Sequence, residues 1–453
     1  MQKNFKHIYM IGIGGISMSA IAEYLTMNNY KVSGSDRTES LITQRLRNKN
    51  VNIYIGHDEK NLDETVDLVV YTAAIHDDNP EFIKAKKLGI KMVNRAKFLG
   101  MIMDDYKYSV AVAGSHGKTS VTAMISEILL TAQKDPTIFL GGILLSINEN
   151  FRMGHSDYFV MEACEYCDSF LNFFPKIGVI NNIDLDHVDY FKSLEQMEKS
   201  FEKFAQNVKD DGVVIINENY KNVIGNQQKK IVTFGDENAD WRVEDLIFDE
   251  NQCAKFSAVN NDLRIDEIKL KVPGYFNVLN SLAAISVACE LQIDKKYIKN
   301  ALENFHGAQR RFEFKGIFRG AKIFDDYAHH PNEIKETISA VKKMSYNNLW
   351  CVFQPHTYTR TKMFLDDFAK VLCNAGNVIL ANIYAAREKN IYGTSSKDLA
   401  NKIKEFGGNA IYFDSFDEIA NYLEDKISKN DLIITIGAGD IYKVGEKLLQ
   451  EKC

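Results

Sequence analysis

The chain has 453 residues, of which 45% are hydrophobic and 26% charged, and its formal net charge is −6. This composition is typical of a globular protein of about three domains, and the acidic balance argues against nucleic acid or an anionic membrane as the main partner. No apolar run approaches the ~18 residues that span a bilayer and no signal peptide is evident, so we expect a cytoplasmic protein.

The first block of the chain, residues 1–106, alternates short apolar runs with amphipathic stretches. This pattern predicts a parallel sheet with crossover helices, a doubly wound α/β unit. The predicted strands are His7–Ile11, Lys31–Gly34, Val51–Ile55 and Leu68–Thr72, and the predicted helices are Ser17–Met27, Leu41–Asn48 and Pro80–Leu88.

A glycine-rich turn, GIGGIS, follows the first predicted strand from Gly12 to Ser17. Ser35 and Asp36 close the second strand, where dinucleotide-binding folds carry a ribose-binding acid. Because Ser17 replaces the third glycine, the fingerprint is weak. Three interpretations stay open: a nicotinamide cofactor, the diphosphate of a nucleotide sugar, or a tight turn without a ligand.

The second block, residues 107–309, begins with a buried strand and a helix and continues with further strands. The stretch from Ile231 to Val272 is rich in β signals. The predicted strands are Tyr108–Ala113, Tyr158–Glu162, Ile177–Asn181 and Val213–Asn217, and the predicted helices are Lys118–Leu130 and Asn277–Glu290.

The segment GSHGKT, from Gly114 to Thr119, lies between the first strand and first helix of this block. Glycines let backbone N–H groups converge on a phosphate, and the helix N-terminus adds partial positive charge. In this pattern Lys118 reaches the β- and γ-phosphates and Thr119 ligates Mg²⁺. The general motif has glycine where Val112 stands, so this is a shortened variant of a nucleotide-binding loop.

Two carboxylate clusters follow predicted strands of the same block. Glu162 ends one strand, a position from which a carboxylate beside a phosphate loop holds Mg²⁺ directly or through water. The run NNIDLDH, from Asn181 to His187, follows another strand and suits a second metal or a contact to the reacting phosphate. A loop histidine satisfied by hydrogen bonds is the structural alternative for His187.

Cys164 and Cys167 form the one Cys-x-x-Cys pair among seven scattered cysteines. A redox pair or half a zinc site is one interpretation, and two small side chains in a strand-to-loop passage is the other. No second such pair completes a zinc set, and the scattered cysteines fit a reducing compartment.

The third block, residues 310–453, is again predicted as an open α/β sheet. Its predicted strands are Lys322–Asp325, Leu349–Phe353, Val378–Ala381 and Leu432–Ile436, and its predicted helices are Asn332–Lys342, Lys362–Cys373, Asp417–Ile427 and Ile441–Leu449.

Taken together, nine ordered segments spread over nearly the whole chain resemble the Mur ligase family. The segments are GIGGISMSAIAE (12–23), GSHGKTS (114–120), EACEYCDSFL (162–171), NNIDLDHVDYF (181–191), PGYFNVLNSLAA (273–284), GAQRRFEFKG (307–316), DDYAHHPNE (325–333), FQPHTYTRT (353–361) and GAGDI (437–441).

This resemblance implies three domains: an N-terminal Rossmann-like domain that binds a UDP-sugar, a central P-loop ATPase-like domain that binds ATP, and a C-terminal Rossmann-like domain that binds an amino acid. The central sheet is expected to be mostly parallel with an extra β segment. The implied reaction phosphorylates the lactyl carboxylate of UDP-N-acetylmuramate, and L-alanine attacks the acyl phosphate. ATP and Mg²⁺ are the implied cofactors, and a monomer or homodimer is expected.

The resemblance also implies roles for individual residues. The catalytic set is Lys118, Glu162, His187, His329, His356 and Arg360. ATP contacts are Gly114, Ser115, His116, Gly117, Lys118, Thr119, Ser120, Asn277, Asn280, Arg310 and Asp326. UDP-sugar contacts are Gly14, Gly15, Ser17, Ser35, Asp36, Thr72 and Asn182. Amino-acid contacts are Tyr327, His330 and Arg360, and the Mg²⁺ ligands are Thr119, Glu162 and His187.

Some positions depart from the family pattern: Phe276 stands where histidine is frequent, Thr357 where many relatives carry arginine, and Cys164 where aspartate is common. Helix capping is the structural alternative for the two asparagines of 277–280, and a purely structural role is the alternative for the histidines 329–330. Three other functions stay open: a recycling ligase that attaches a peptide to the same UDP-sugar, a nicotinamide oxidoreductase, and a nucleotide-dependent regulatory module.

Overall fold

The computed structural model describes residues 5–72, 75–188, 190–225, 228–386 and 388–450. The chain forms two compact units. The first comprises residues 1–184, 194–241 and 283–298, and the second comprises residues 185–193, 242–282 and 299–453. These units group the chain differently from the three predicted blocks, whose boundaries stay predictions. In the described part of the chain, no helix combines the length and apolar character needed to cross a bilayer.

The first unit begins with a five-stranded parallel sheet in the order β3-β2-β1-β4-β5. The prediction missed β5 and α4. The strand β5 has four residues with a single buried side chain, so its sequence shows no alternation. The elements are β1 (His7–Ile11), α1 (Ile16–Met27), β2 (Lys31–Asp36), α2 (Leu41–Asn48), β3 (Asn52–Ile55), β4 (Leu68–Tyr71), α3 (Pro80–Lys87), β5 (Lys91–Asn94) and α4 (Arg95–Met103), with a 3-10 helix at Glu59–Asn61.

The same unit contains seven further strands in the order β12-β11-β10-β6-β9-β7-β8. Neighbours are parallel except for the edge pair β7 and β8, which is antiparallel. The elements are β6 (Tyr108–Ala113), α5 (Lys118–Thr131), β7 (Thr137–Leu144), β8 (Glu149–Arg152), β9 (Tyr158–Glu162), β10 (Ile177–Ile180), α6 (Leu194–Asn207), β11 (Val213–Asn217) and β12 (Lys230–Gly235), with 3-10 helices at Tyr166–Asn172 and Glu218–Ile224.

The β-rich stretch expected up to Val272 is confirmed. Three strands follow β12, namely β13 (Trp241–Phe248), β14 (Cys253–Val259) and β15 (Arg264–Pro273). β14 is antiparallel to both β13 and β15. Two helices come next, α7 (Tyr275–Glu290) and α8 (Lys295–Glu303), and the division between the units falls within β13, α7 and α8.

The C-terminal part of the second unit is a six-stranded sheet in the order β16-β17-β21-β18-β19-β20, parallel except for β16. The elements are β16 (Glu313–Phe318), β17 (Ala321–Asp326), α9 (Pro331–Lys342), β18 (Leu349–Phe353), α10 (Tyr358–Met363), α11 (Leu365–Leu372), β19 (Asn377–Leu380), α12 (Ser396–Glu405), β20 (Asn409–Tyr412), α13 (Phe416–Lys426), β21 (Leu432–Ile436) and α14 (Tyr442–Gln450).

Three adjacent strands of this sheet end together. Asp326 of β17 and Phe353 of β18 both pair with Ile436 of β21. The loops that follow, at 327–330, 354–357 and 437–441, therefore leave the sheet at one carboxyl edge, where ligands of open α/β sheets bind. The predicted α/β class with mostly parallel sheets is confirmed.

Candidate functional site

The phosphate loop joins the buried strand β6 to helix α5, as the sequence predicts. Gly114 has φ 144° and Gly117 has φ 78°, backbone conformations that side chains rarely allow. A Cβ at Gly114 would lie 3.0 Å from Asn181 Cβ, so the loop also needs glycine for close approach to the neighbouring segment. The positive φ values and the close approach to Asn181 therefore determine the path of this short loop from β6 to α5.

The loop after β10 holds the phosphate loop from the side. The amide N–H of His116 donates to Asn182 Oδ1 at 2.7 Å, and Asn182 Nδ2 donates to the His116 carbonyl at 3.0 Å. The Ser115 hydroxyl donates to the Asp184 carbonyl and accepts from the Asp184 N–H, both at 2.8 Å. Asn182, predicted as a UDP-sugar contact, thus uses both amide atoms to fix the phosphate loop.

Lys118 is turned into its own loop. Its ammonium donates to the carbonyls of Gly114 at 2.5 Å and Ser115 at 3.1 Å. The Glu165 carboxylate lies 3.0 and 3.1 Å away through its two oxygens. Burial is the largest single influence and lowers the pKa of Lys118, but the attraction and hydrogen bond of Glu165, with smaller contributions from Cys164 and Glu162, together raise it, so the ammonium stays charged. Sequence reasoning did not single out Glu165, because nothing in its spacing identifies its partner.

Glu162 and Thr119, predicted Mg²⁺ ligands, both border two glycines of β7. Glu162 Oε1 accepts from the Gly141 N–H at 2.7 Å. A Cβ at Gly141 would lie 2.7 Å from Glu162 Oε2, and one at Gly142 would lie 3.2 Å from the Thr119 methyl group. The two glycines therefore make room beside the predicted ligands. Within the described ranges, no group of three or more His, Cys, Asp or Glu side chains is arranged as a metal site.

Cys164 precedes Glu165 and is partly buried. Burial, followed by the Glu165 charge, raises the pKa of its thiol to about 11, so the reactive thiolate is scarce at neutral pH. Neither Cys164 nor Cys167 forms a disulfide. The redox and zinc interpretations of this pair gain no support.

The glycine-rich turn of the N-terminal sheet is hydrogen-bonded to Asp36 at the end of β2. The Gly14 N–H donates to Asp36 Oδ2 at 2.8 Å. The side chain of Ser35 is fully buried and donates to Glu81 Oε2 at 2.5 Å. Ser35 therefore already has a buried partner, and the UDP-sugar contact implied for it stays a prediction. Gly15, Ser17 and Thr72 retain exposed surface at that edge.

In the second unit, Arg360 is already paired. Its Nη2 lies 2.8 Å from Asp186 Oδ1, and Arg360 and Asp186 are 8% and 3% exposed. Its Nη1 contacts His356 Nδ1 at 3.2 Å, while the buried Nε has no hydrogen-bond partner among described residues. Although burial opposes ionisation, Arg360 and the nearby histidines hold the pKa of Asp186 well below its usual range. The amino-acid contact implied for Arg360 stays a prediction.

His329 and His356 lie beside this pair, with ring centroids 5.7 Å apart. Burial is the main cause that lowers the pKa of His329 to about 4 and that of His356 to about 3, and the Arg360 charge acts in the same direction. Both imidazoles are therefore neutral at pH 7. The His356 ring stacks on Tyr384, and the His329 ring meets the edge of Tyr327.

His330 and Asp326 have structural partners at the same edge. His330 caps helix α9 by accepting from the Asn332 N–H at 3.3 Å, and its ring packs against Phe364. Burial raises the pKa of Asp326 to about 6, and Asp326 accepts from the Thr337 hydroxyl at 2.8 Å. The implied ligand roles of His330 and Asp326 stay predictions.

Arg310 is held within the C-terminal sheet. Its guanidinium donates to Asp325 at 2.9 Å and to the carbonyls of Gly439 at 2.8 Å and Gly437 at 2.5 Å. It also lies over the rings of Tyr327 and Tyr442. These bonds use three of the five N–H donors of the guanidinium. An ATP phosphate would compete with these partners for Arg310, and the implied ATP contact stays a prediction.

Asn277 and Asn280 are buried at the start of α7. Asn277 Nδ2 donates to the Pro273 carbonyl at 2.8 Å, and Asn280 Nδ2 donates to Asn277 Oδ1 at 3.2 Å. These bonds give both side chains structural partners without capping an N–H group of the helix, and the adenine contact implied for the two residues stays a prediction.

Known proteins resemble this chain throughout its length. Family models match residues 7–107 (Mur ligase family, catalytic domain), 112–288 (Mur ligase middle domain) and 310–439 (Mur ligase, glutamate ligase domain). A UDP-N-acetylmuramate–L-alanine ligase from Agathobacter rectalis is 49% identical over 98% of both chains. The chain belongs to the Mur ligase family.

Other relatives agree with this placement in the Mur ligase family. The UDP-N-acetylmuramate–L-alanine ligase of Clostridium tetani is 48% identical over 99% of both chains. The solved structure of the UDP-N-acetylmuramate–alanine ligase from Thermotoga maritima has 31% identity and a TM-score of 0.82, with 98% of both chains covered. A murein peptide ligase from Psychrobacter arcticus shares the fold, with 23% identity and a TM-score of 0.70.

Proposed function

We propose that this chain is an ATP-dependent ligase that joins L-alanine to the lactyl carboxylate of UDP-N-acetylmuramate during peptidoglycan precursor synthesis. The observation that carries the proposal is the 49% identity, over 98% of both chains, to a ligase of that name. The glycine-containing loop between β6 and α5, which carries Lys118, supports the use of ATP. The substrates are a nucleotide, a nucleotide sugar and an amino acid, which fit a cytoplasmic enzyme acting as a monomer or homodimer.

The reaction proceeds in two displacements. A carboxylate oxygen of the sugar attacks the γ-phosphorus of ATP, the bond to ADP breaks, and an acyl phosphate forms. The amine of L-alanine then attacks the acyl carbon, and the tetrahedral intermediate collapses to an amide with loss of inorganic phosphate and the amine proton. Activation is needed because a carboxylate is a poor electrophile, and the enzyme acts by positioning and charge stabilisation.

Lys118 and the loop N–H groups neutralise the phosphate oxygens as charge moves toward ADP. Arg360 holds the carboxylate of L-alanine through its unsatisfied Nε. His329 and His356 are neutral at pH 7 and too weakly basic to remain protonated, so they serve as hydrogen-bond partners of the amine and the acyl phosphate. Gly15, Ser17 and Thr72 supply the partly exposed edge for the UDP-sugar.

Mg²⁺ fits the donors near the loop. Glu162 Oε2 is beside the space left by Gly141, and the Thr119 hydroxyl lies at the start of α5; carboxylate and hydroxyl oxygens are ligands that Mg²⁺ accepts. The resemblance also implies His187 as a ligand, and that role stays a prediction. The ion neutralises phosphate charge when bound.

The decisive experiment measures phosphate release from ATP in the presence of Mg²⁺ and UDP-N-acetylmuramate. We expect strong stimulation by L-alanine and weaker stimulation by glycine or L-serine. A response to a tripeptide instead of L-alanine would identify a recycling ligase. Slow hydrolysis that no amino acid changes would identify a regulatory module and overturn the proposal.

A further inference from the structure

Glu165 is a buried carboxylate that contacts Lys118 of the phosphate loop. It follows β9 and precedes the 3-10 helix Tyr166–Asn172, and none of its surface is exposed. Its carbonyl accepts from the Asp168 N–H at 3.0 Å, and the next residues Cys167 and Asp168 have φ of 51° and 53°. This left-handed turn fixes the backbone from which the Glu165 side chain points at Lys118.

The Lys118 ammonium has no donor left for a phosphate. It carries three N–H groups, and its acceptors are the carbonyls of Gly114 and Ser115 and the carboxylate of Glu165. A nucleotide can bind Lys118 only after at least one of these bonds breaks. The contact to Glu165 is the one bond of the three that joins opposite charges, and it is buried, so solvent screens it little.

We propose that Glu165 is a positioning residue that holds Lys118 in the nucleotide-free protein and gives it up to the β-phosphate when a nucleotide binds. The carboxylate takes the place of the phosphate: it keeps a buried ammonium paired and charged while the loop is empty. The exchange replaces one anionic partner by another, and it weakens nucleotide binding because the resting ion pair must be broken. The inference rests on the proposed use of ATP.

The sign of the effect follows from charge. In the nucleotide-free state Glu165 stabilises Lys118, and in the bound state its negative charge repels the phosphate that replaces it. Both contributions favour the empty loop. Removing the charge while keeping the shape, as in Glu165→Gln, therefore tightens nucleotide binding, whereas loss of a mere structural support would loosen it.

The test is a calorimetric titration, in which the heat of ADP binding to the full chain is measured without Mg²⁺. We expect Glu165→Gln to bind ADP about three- to tenfold more tightly than the unmodified protein, in proportion to a charged hydrogen bond that no longer competes. In the Lys118→Met background the same change should tighten ADP binding by a clearly smaller factor, because the competing ammonium is absent and only the repulsion between Glu165 and the phosphate is relieved. Unchanged or weaker ADP binding by Glu165→Gln, or an equal effect in both backgrounds, would overturn the proposal.

Two controls keep the result interpretable. Glu127→Gln removes the same charge further along helix α5 and should leave ADP affinity unchanged. If Glu165→Gln does not fold, Glu165→Asp keeps the charge but withdraws it by one methylene, and it should tighten ADP binding by a smaller factor; weaker binding would count against the proposal. Failure of the unmodified protein to bind ADP at all would instead contradict the proposed function.

Discussion

The buried ion pair between Asp186 and Arg360 determines the effect that we expect of a substitution at Arg360. Removing Arg360 leaves a buried carboxylate without its partner, which typically costs about 3–5 kcal/mol. Arg360→Gln should therefore lower thermal stability as well as raise the L-alanine concentration needed for phosphate release. The L-alanine requirement should still rise more than the ATP requirement, because Arg360 is proposed to hold the amino-acid carboxylate.

A double variant separates the two effects. Asp186→Asn with Arg360→Gln replaces the ion pair by neutral groups of similar shape, so its melting temperature should exceed that of Arg360→Gln alone. Its L-alanine requirement should stay high. A double variant as unstable as the sum of the single changes would show that the pair is not the source of the stability loss.

His329 makes the stability of the second unit sensitive to acid. Its pKa is lowered to about 4 by burial, whereas an unfolded histidine titrates near 6.5. Between these values the unfolded chain binds more protons, so stability rises with pH and is lost as pH falls from 6.5 toward 4. Because His329 is protonated in the unfolded chain but stays neutral in the folded protein, we expect it to lower the free energy of unfolding by about 2 kcal/mol between pH 7 and pH 5.

The variant His329→Gln cannot titrate and should lose less stability than the unmodified protein between pH 7 and pH 5, as measured by urea unfolding. The comparison uses the difference between the two proteins, because Asp326, with a pKa raised to about 6, shifts the absolute pH dependence in the opposite direction. Parallel pH profiles for the two proteins would contradict the prediction.

At the scale of elements, Asp431 ties β18 to the turn before β21. Its buried carboxylate accepts from the Asn348 N–H at 3.1 Å, the Asn348 side chain at 2.9 Å, the Trp350 indole at 3.1 Å and the Ser428 N–H at 3.0 Å. Asp431→Ala leaves these donors unpaired and should cost about 3 kcal/mol.

The measurement is thermal unfolding followed by tryptophan fluorescence, since Trp350 reports on this contact. Asp425→Ala, on the exposed face of α13, removes an aspartate of the same unit and should leave the melting temperature nearly unchanged. Equal effects of the two substitutions would show that the four bonds do not support the sheet.

Sequence periodicity predicts many elements of this chain but misses others of every length, including the helices α6 (Leu194–Asn207) and α12 (Ser396–Glu405). The predicted helix Lys362–Cys373 is two helices, α10 and α11, because Phe364 has a non-helical backbone (φ −101°, ψ 23°). The strand β20 was not predicted, since one fully buried side chain in four residues carries no period. The equally short strands β4 and β19 each have three buried side chains and were predicted, so a continuous apolar run reveals a strand that alternation does not.

At the scale of the whole molecule, Arg45 joins the N-terminal sheet to the edge of the central sheet. Its guanidinium contacts Glu23 at 2.7 Å and Glu149 of β8 at 2.5 Å, and Lys49 also pairs with the buried Glu23. These ion pairs connect α1 and α2 to β8 within the first unit, which contains both the glycine-rich turn and the phosphate loop. We expect Arg45→Ala to cost about 1–2 kcal/mol and to raise hydrogen exchange in α1 and β8.

Arg47 offers a matched control on the same helix, because it pairs with Glu39 at the surface. Arg47→Ala should change neither stability nor hydrogen exchange appreciably. If both substitutions loosen α1 and β8 equally, the effect belongs to helix α2 and not to the contact between the sheets.

The sequence by itself determined the α/β class, the phosphate loop and the family, because turn chemistry and strand-helix alternation are local and recur in order along the chain. Only the tertiary structure decided what each polar side chain contacts. Asn182 meets His116 across 66 positions, and Arg360 meets Asp186 across 174. Such pairs are set by which strand ends lie side by side in the folded sheets, and no spacing in the sequence records that. The same reason explains why Glu165 emerged as the partner of Lys118 only once the chain was folded.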